Sequence, residues 1–188
     1  MNVFFLFLTV IILQRMGELV VAKNNEKWMK KQGAIEFGEG HYRLIVFIHS
    51  MFFAVFLLEV LIFQKSLSPA WPIWIVLFLL TQVGRIWALF SLGRYWNTKI
   101  LVVPNAKVMK KGPYRFMKHP NYVIVAIELI VIPMVFQAYL TAILFTFFNF
   151  LILSIRIPAE EKALMELTEY ESVFLQNGRF FPINFKKM

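Results

Sequence analysis

YRLIVFIHSMFFAVFLLEVLIF, residues Tyr42–Phe63, is the stretch that decides the architecture. A helix rises about 1.5 Å per residue, and about 20 apolar residues cross a hydrocarbon core roughly 30 Å thick. This segment is long enough to do so. Only His49, Ser50 and Glu59 break its apolar run, with Arg43 at its edge. Four more apolar stretches lie to either side: Val3–Val21, Ala70–Leu92, Asn121–Phe136 and Ala138–Ile155. The one beginning at Asn121 covers only about 24 Å as a helix. Pro133 and Gln137 mark a bend just after it, which predicts that the last two stretches form a tight helical hairpin. The expectation is an all-α integral membrane protein with about five transmembrane helices. It forms a single domain over residues 1–188, with three spans in 1–92 and the polar motifs in 93–188.

Composition supports a bilayer as the solvent. Hydrophobic residues make up 59% of the 188, and charged residues only 16%, well below the usual quarter of a soluble domain. Phe occurs 21 times, more apolar surface than a soluble core of this size hides. Cysteine is absent, which excludes disulfide and thiolate chemistry, and all 11 acids are Glu. The first stretch has no basic leader and no small-residue cleavage site after it, so it reads as a retained span rather than a signal peptide.

The net charge of +9 raises the question of nucleic acid, and its distribution answers it. Basic residues flank the apolar stretches. Lys23, Lys27, Lys30, Lys31 and Arg43 flank the loop between the first two. Arg94, Lys99, Lys107, Lys110, Lys111, Arg115 and Lys118 lie between the third and fourth, and Lys162, Arg179, Lys186 and Lys187 follow the fifth. The opposite loops carry Lys65. This is the pattern of a cytoplasmic face beside anionic lipid. It predicts a multi-pass protein of the cell membrane, N-terminus outside and C-terminus cytoplasmic, with no nucleic-acid partner.

Two segments carry the chemistry. Gly112-Pro113-Tyr114-Arg115 is followed by His119-Pro120-Asn121-Tyr122. Gly-Pro makes a rigid turn, and Pro120 suits the first position of a helix, where its missing N–H costs nothing. His119 then stands beside free backbone N–H groups that attract a carboxylate. The same residues also read simply as a turn and cap at the membrane surface. The second segment, Arg156-Ile157-Pro158-Ala159-Glu160-Glu161, lies where the fifth stretch leaves the membrane. Two acids in a first helical turn complement the helix dipole; they equally suit a cationic ligand among aromatic neighbours. Beyond it, Leu164, Leu167, Tyr170 and Phe174 recur at helical spacing, which predicts an amphipathic helix over Pro158–Leu175. Between the third and fourth stretches, Ile100–Val103 reads as a short extended run.

The G-x-Y-R…H-P element at Gly112–Pro120 and the R-x3-E-E…E-Y element of Arg156, Glu160, Glu161, Glu169 and Tyr170 resemble those of isoprenylcysteine carboxyl methyltransferases. The resemblance covers about residues 94–180. It implies a cytoplasm-facing pocket for S-adenosylmethionine lined by Tyr114, His119, Pro120 and Tyr122, with Glu160 and Glu161 at the cofactor's cationic end. The C-terminal amphipathic helix closes that pocket. Arg156 and Glu160 are the expected catalytic residues, Arg156 steering an acidic acceptor. Gln14-Arg15-x2-Glu18, His41-Tyr42-Arg43 and Gly93-Arg94-Tyr95-Trp96 look similar to a bacterial subgroup found beside polyketide synthases. That implies a lipophilic acceptor drawn from membrane lipid, such as an alkylpyrone, methylated on a carboxylate or enol oxygen.

Metal is not expected, because His41, His49 and His119 are scattered without ligand spacing. A nicotinamide-dependent membrane reductase is disfavoured, since no G-x-G-x-x-G follows a strand. A small non-enzymatic transport or assembly protein is the alternative. A transporter, however, places its polar residues at the midplane, whereas here they crowd one face. The intramembrane charges are read as pairs, Arg15 with Glu18 and Arg85 with Glu128, or as the border of a substrate cavity. His49 is read as a donor between helices.

Overall fold

The computed structural model describes residues 1–175 and 177–180, so Lys186 and Lys187 lie outside the described residues. Its elements are α1 (Asn2–Lys31), β1 (Ile35–Phe37), α2 (Glu39–Ile62), α3 (Trp71–Leu92), β2 (Ile100–Val102), α4 (Pro120–Met134), α5 (Tyr139–Leu167) and α6 (Tyr170–Phe174). Single 3₁₀ turns at Gly93–Tyr95 and Gly112–Arg115 complete the set.

Four helices are long and apolar enough to cross a membrane: α1, α2, α3 with its 3₁₀ extension to Tyr95, and α5. The expected fourth span is α4, which has 15 residues and is about 22 Å long. It falls short because the polar run up to His119 takes up chain that a full span needs, and Pro133 closes its last turn. Residues 135–138 carry the chain into α5, with Gln137 in the left-handed region at φ 56°.

The helices are held at one end by aromatic packing. Phe4 of α1 meets Phe136 at 5.1 Å and Phe56 at 5.3 Å between ring centroids, both edge to face. Phe52 meets Phe145 at 5.4 Å in the same way. Such pairs contribute about 0.5–1.5 kcal/mol each beyond the area they bury. They tie α1, α2, α5 and the turn before α5 into one cluster. Glu59, near the end of α2 and 5% exposed, turns its carboxylate to the start of α5. It accepts from the Leu140 N–H at 3.1 Å, the Thr141 N–H at 2.7 Å and the Thr141 hydroxyl at 2.6 Å. The two N–H groups are among those that a helix N-terminus leaves without intrahelical partners.

The other end is not purely helical. β1 pairs antiparallel with β2 in the register Ile35↔Val102, Glu36↔Leu101, Phe37↔Ile100. β2 is the core of the extended run expected at Ile100–Val103, whereas β1 is an addition to the all-α reading. The sheet fastens the loop after α1 to the loop after α3. Lys99 reinforces it, bonding Glu26 at 3.0 Å and Glu36 at 2.9 Å. Lys30 reaches the same two acids at 2.7 and 3.1 Å.

The helix expected over Pro158–Leu175 is divided differently. α5 runs straight through Pro158 to Leu167, then Thr168 turns extended at φ −145°, ψ 173°, and α6 follows. Proline removes one backbone donor and disfavours helix before it. Side chains anchored on both sides, Arg156 before and Glu161 after, hold the helix across that gap.

Candidate active site

Gly112 starts the site. Its φ is +52°, and a Cβ there would sit 1.9 Å from Ser91 Oγ and 2.9 Å from Trp87 Nε1 on α3. Glycine alone lets the turn lie this close to α3, and the turn then buries Pro113 and Tyr114. The chain passes to His119, which precedes the first turn of α4 with Pro120 at its head. Tyr122 follows on that turn. From the opposite side, α5 presents Arg156 and Glu160 one turn apart. α6 adds Tyr170 and Phe174.

These side chains form two connected sets. In the first, Arg156 donates from Nε to the Tyr122 hydroxyl at 2.7 Å and from Nη2 to the Thr98 carbonyl at 2.6 Å. The Tyr122 hydroxyl in turn donates to Glu160 Oε2. The Arg156 guanidinium also lies 5.8 Å from the Tyr122 ring centre. In the second, His119 Nε2 stands 3.0 Å from Glu161 Oε1, and Arg179 grips the same carboxylate, its Nη2 at 2.6 Å from Oε2. The backbone is fixed here as well: His119 N–H donates to the Arg179 carbonyl at 3.1 Å, and Lys118 N–H to the Gly178 carbonyl at 3.0 Å. The His119 and Tyr122 rings stack at 5.3 Å and join the two sets.

Tyr114, His119, Tyr122, Arg156, Glu160 and Tyr170 line one cavity of about 440 Å³, within the common range of small-molecule sites. Pro120 and Glu161 are not among its lining. Pro120 starts α4, and Glu161 faces a shallower hollow with Arg179. Three buried polar atoms among the cavity's residues have no hydrogen-bond partner among the described residues: Trp96 Nε1, Asn121 Oδ1 and Tyr170 OH. Unpaired buried polar groups are rare in folded proteins and call for a ligand or water. Burial, with Glu160 nearby, pushes the Tyr114 and Tyr170 hydroxyls well above their ordinary pKa. Both therefore stay protonated and able to donate. Asn121 and Trp96 stand inside the quoted motifs but were given no role in the site, and Thr98 was not singled out, since no charge marks any of the three. The position of Asn121 beside His119-Pro120 was the available signal.

At membrane depth the same cavity reaches four charges. Glu128 on α4 accepts from Arg15 Nη2 at 2.7 Å and from Arg85 at Nε (3.2 Å) and Nη2. Glu18 accepts from Arg15 Nη1 at 2.7 Å and Arg85 Nη1 at 3.2 Å. Gln82 donates to Glu128 at 2.8 Å, and Gln14 to Glu18 at 3.0 Å. The two expected pairs are thus one network, and it lines the cavity. His49, expected to bond between helices, instead has Nδ1 2.9 Å from the Ile45 carbonyl of its own helix. That i−4 carbonyl is always within reach, so no neighbouring helix is needed. Among the described residues no group of three His, Cys, Asp or Glu could hold a metal ion.

Helices long enough to cross a membrane around a polar-ended, apolar-walled cavity define a membrane protein built to receive a ligand. Residues 74–166, from α3 through the Arg156–Glu161 segment, match the isoprenylcysteine carboxyl methyltransferase (ICMT) family. The chain is 52% identical over 163 residues to the Uncharacterized protein YpbQ of Bacillus subtilis (strain 168), covering 87% of this chain and 97% of that one. It is 26% identical over 158 residues to an Uncharacterized protein of Haemophilus influenzae (strain ATCC 51907 / DSM 11121 / KW20 / Rd), covering 84% and 92%. The chain belongs to the ICMT family, and membership points to a membrane methyltransferase.

Proposed function

We propose that this protein is an S-adenosylmethionine-dependent O-methyltransferase. It acts on the carboxylate or acidic enol of a lipophilic acceptor, such as an alkylpyrone-type polyketide, at the cytoplasmic face of the cell membrane. The observation that carries this reading is the meeting, in one cavity, of the Arg156–Tyr122–Glu160 chain with the unpartnered Asn121 Oδ1 and Tyr170 OH. The lining fits the cofactor's chemistry. Glu160, held by the Tyr122 hydroxyl, supplies a carboxylate for a cationic group, and the Tyr114 ring favours a sulfonium. Asn121 Oδ1 offers an acceptor for an amine. Tyr170 OH and Trp96 Nε1 offer donors for a carboxylate or hydroxyl.

When bound, S-adenosylmethionine supplies a methyl group that passes to the acceptor oxygen while its sulfonium leaves as a neutral thioether. The protein's own part is placement and desolvation. A carboxylate is already ionised near neutral pH, so no strong base is needed. Arg156, held by Thr98 and Tyr122, gives the anionic oxygen a fixed positive charge to approach. Glu161 acts at one remove: by fixing His119 it sets the ring stacked on Tyr122. α6 forms the lid over the cofactor end. The N-terminus lies outside and the motif-bearing loops in the cytoplasm, as the distribution of Lys and Arg favours.

The test is calorimetric titration of the detergent-purified protein with S-adenosylmethionine, with Glu160→Ala and Tyr170→Phe alongside. Saturable binding is expected, with a loss of about tenfold or more in each variant, the equivalent of one or two charged hydrogen bonds. Absence of binding to well-folded wild-type protein would overturn the proposal.

A further inference from the structure

Two polar residues of the cavity take no part in the chemistry above, and the packing of α2 on α5 sets them at one level. The two helices run antiparallel. At the aromatic end Glu59 accepts from the Thr141 N–H, and further along Phe52 meets Phe145. At the polar end Thr98 ties the same two helices: its hydroxyl lies 3.3 Å from the Tyr42 hydroxyl, and its carbonyl accepts from Arg156. A step forward along α2 is therefore matched by a step back along α5. His49 lies seven residues after Tyr42, and Asn149 seven residues before Arg156. Seven residues are two turns, so both fall about 10 Å along the helix axes from the level of Arg156. Both line the cavity.

Neither residue is fully partnered. Asn149 is 5% exposed, and its amide makes no hydrogen bond among the described residues. His49 Nδ1 stands 2.9 Å from the Ile45 carbonyl. A carbonyl only accepts, so in the neutral ring Nδ1 carries the proton and Nε2 is left as a bare acceptor. Membrane helices ordinarily use Asn and His to bond one another, and a buried polar group left unpaired costs free energy. Here both face the same cavity, with Ile45, Ile152 and Leu153 as its apolar wall on the way to Arg156.

We propose that His49 and Asn149 form a second subsite, which takes a neutral oxygen of the acceptor while its acidic oxygen lies at Arg156. The inference rests on the methyltransferase reading for the place of the acidic oxygen, and it adds the residues that select the rest of the head. A hydroxyl fits both side chains at once, donating to His49 Nε2 and accepting from the Asn149 amide; a carbonyl accepts from Asn149 alone. Spacing sets where that oxygen sits. Two hydrogen bonds of about 2.8 Å take up more than half of the distance between the levels, which leaves about 5 Å between the two oxygens. Oxygens on the first and third carbons of an extended chain are that far apart. The pair thus selects a 1,3-dioxygenated head over a plain fatty acid.

The experiment measures binding of 3-hydroxydodecanoate and of dodecanoate, which differ by one hydroxyl, to the full-length protein in zwitterionic nanodiscs. Empty discs are subtracted, and the pH is about 8.5, where both acids are ionised. The same samples are titrated with S-adenosylmethionine. Wild type should bind the hydroxy acid about fivefold or more tightly than dodecanoate. Asn149→Leu and His49→Leu should each abolish that preference, with dodecanoate affinity within about threefold of wild type and cofactor affinity unchanged. Residues that served only to pack α2 on α5 would weaken both acids alike. Where a Leu variant does not fold, Asn149→Ala or His49→Phe takes its place. Absence of the preference in wild type, or its survival in either variant, overturns the subsite. Absence of cofactor binding in wild type overturns the methyltransferase reading and leaves the hydroxyl preference to be judged by itself.

Discussion

Replacing Glu59 by alanine should destabilise the protein without touching its cofactor site. The carboxylate accepts three hydrogen bonds at the start of α5, at 2.6 to 3.1 Å. Truncation leaves two backbone donors and one hydroxyl unpaired at a place where water is scarce. Loss of a helix N-cap alone costs about 0.5–2 kcal/mol, and an orphaned buried donor about 1–3. The carboxylate's own desolvation is recovered, so a net loss of about 3 kcal/mol is expected. For a chain of this length each kcal/mol moves the midpoint by about 2–4 °C, which puts the shift at roughly 6–12 °C. The assay is the thermal midpoint in detergent by fluorescence-detected size exclusion. Glu59→Gln, which keeps one acceptor oxygen, should show about a third of the effect. Cofactor affinity at 4 °C should be unchanged, because Glu59 is not among the cavity's lining residues. A midpoint shift below about 2 °C in Glu59→Ala would refute the capping argument.

Two other predictions follow from the polar end. Gly112→Ala should cost about 2 kcal/mol or more and abolish cofactor binding, since it combines an L-residue at φ +52° with a Cβ 1.9 Å from Ser91 Oγ; adding Ser91→Ala should recover only part, and full recovery would show that the backbone conformation is free. Acid should weaken the fold through Glu36: burial opposes its ionisation, but the hydrogen bonds from Lys99 and Lys30 outweigh this and hold its carboxyl below the ordinary range. A depressed acid stabilises the fold above its unfolded pKa and loses that contribution as pH falls through its folded pKa. The thermal midpoint should therefore fall between about pH 5 and 3, and Glu36→Gln should be less stable at pH 7 but with a shallower acid slope. Equal slopes would refute the assignment.

Much of the fold was legible because lipid solvation writes itself into composition. α1, α2, α3 and α5 could be placed from apolar length alone, and α4 from Pro120 onward. β1 could not, because Ile35–Phe37 is too short to show a period and exists only through pairing with β2. The continuity of α5 through Pro158 was hidden for a related reason. A local rule breaks the helix there, and the side chains that restore it reach Thr98, His119 and Arg179, far away in the chain. Of the candidate site, Tyr114, His119, Tyr122, Arg156 and Glu160 came from the family resemblance that the two motifs carry. Their connectivity did not: Arg156 was expected to steer an acidic acceptor, with no sign that it would bond Tyr122 and Thr98, and Glu161 was expected at the pocket and instead sits behind His119. Which partner a polar side chain finds depends on which helix faces meet.

The four-charge network also bears on how the helices enter the bilayer. Arg15 and Glu18 are one turn apart on α1 and bonded to each other, so that helix is self-neutralised and can be released into lipid alone. Arg85 on α3 and Glu128 on α4 bond to residues of other helices, and each would bring an uncompensated charge if it inserted singly. These two are complementary to each other, so the α3–α4 contact is the one that leaves the least uncompensated charge facing lipid.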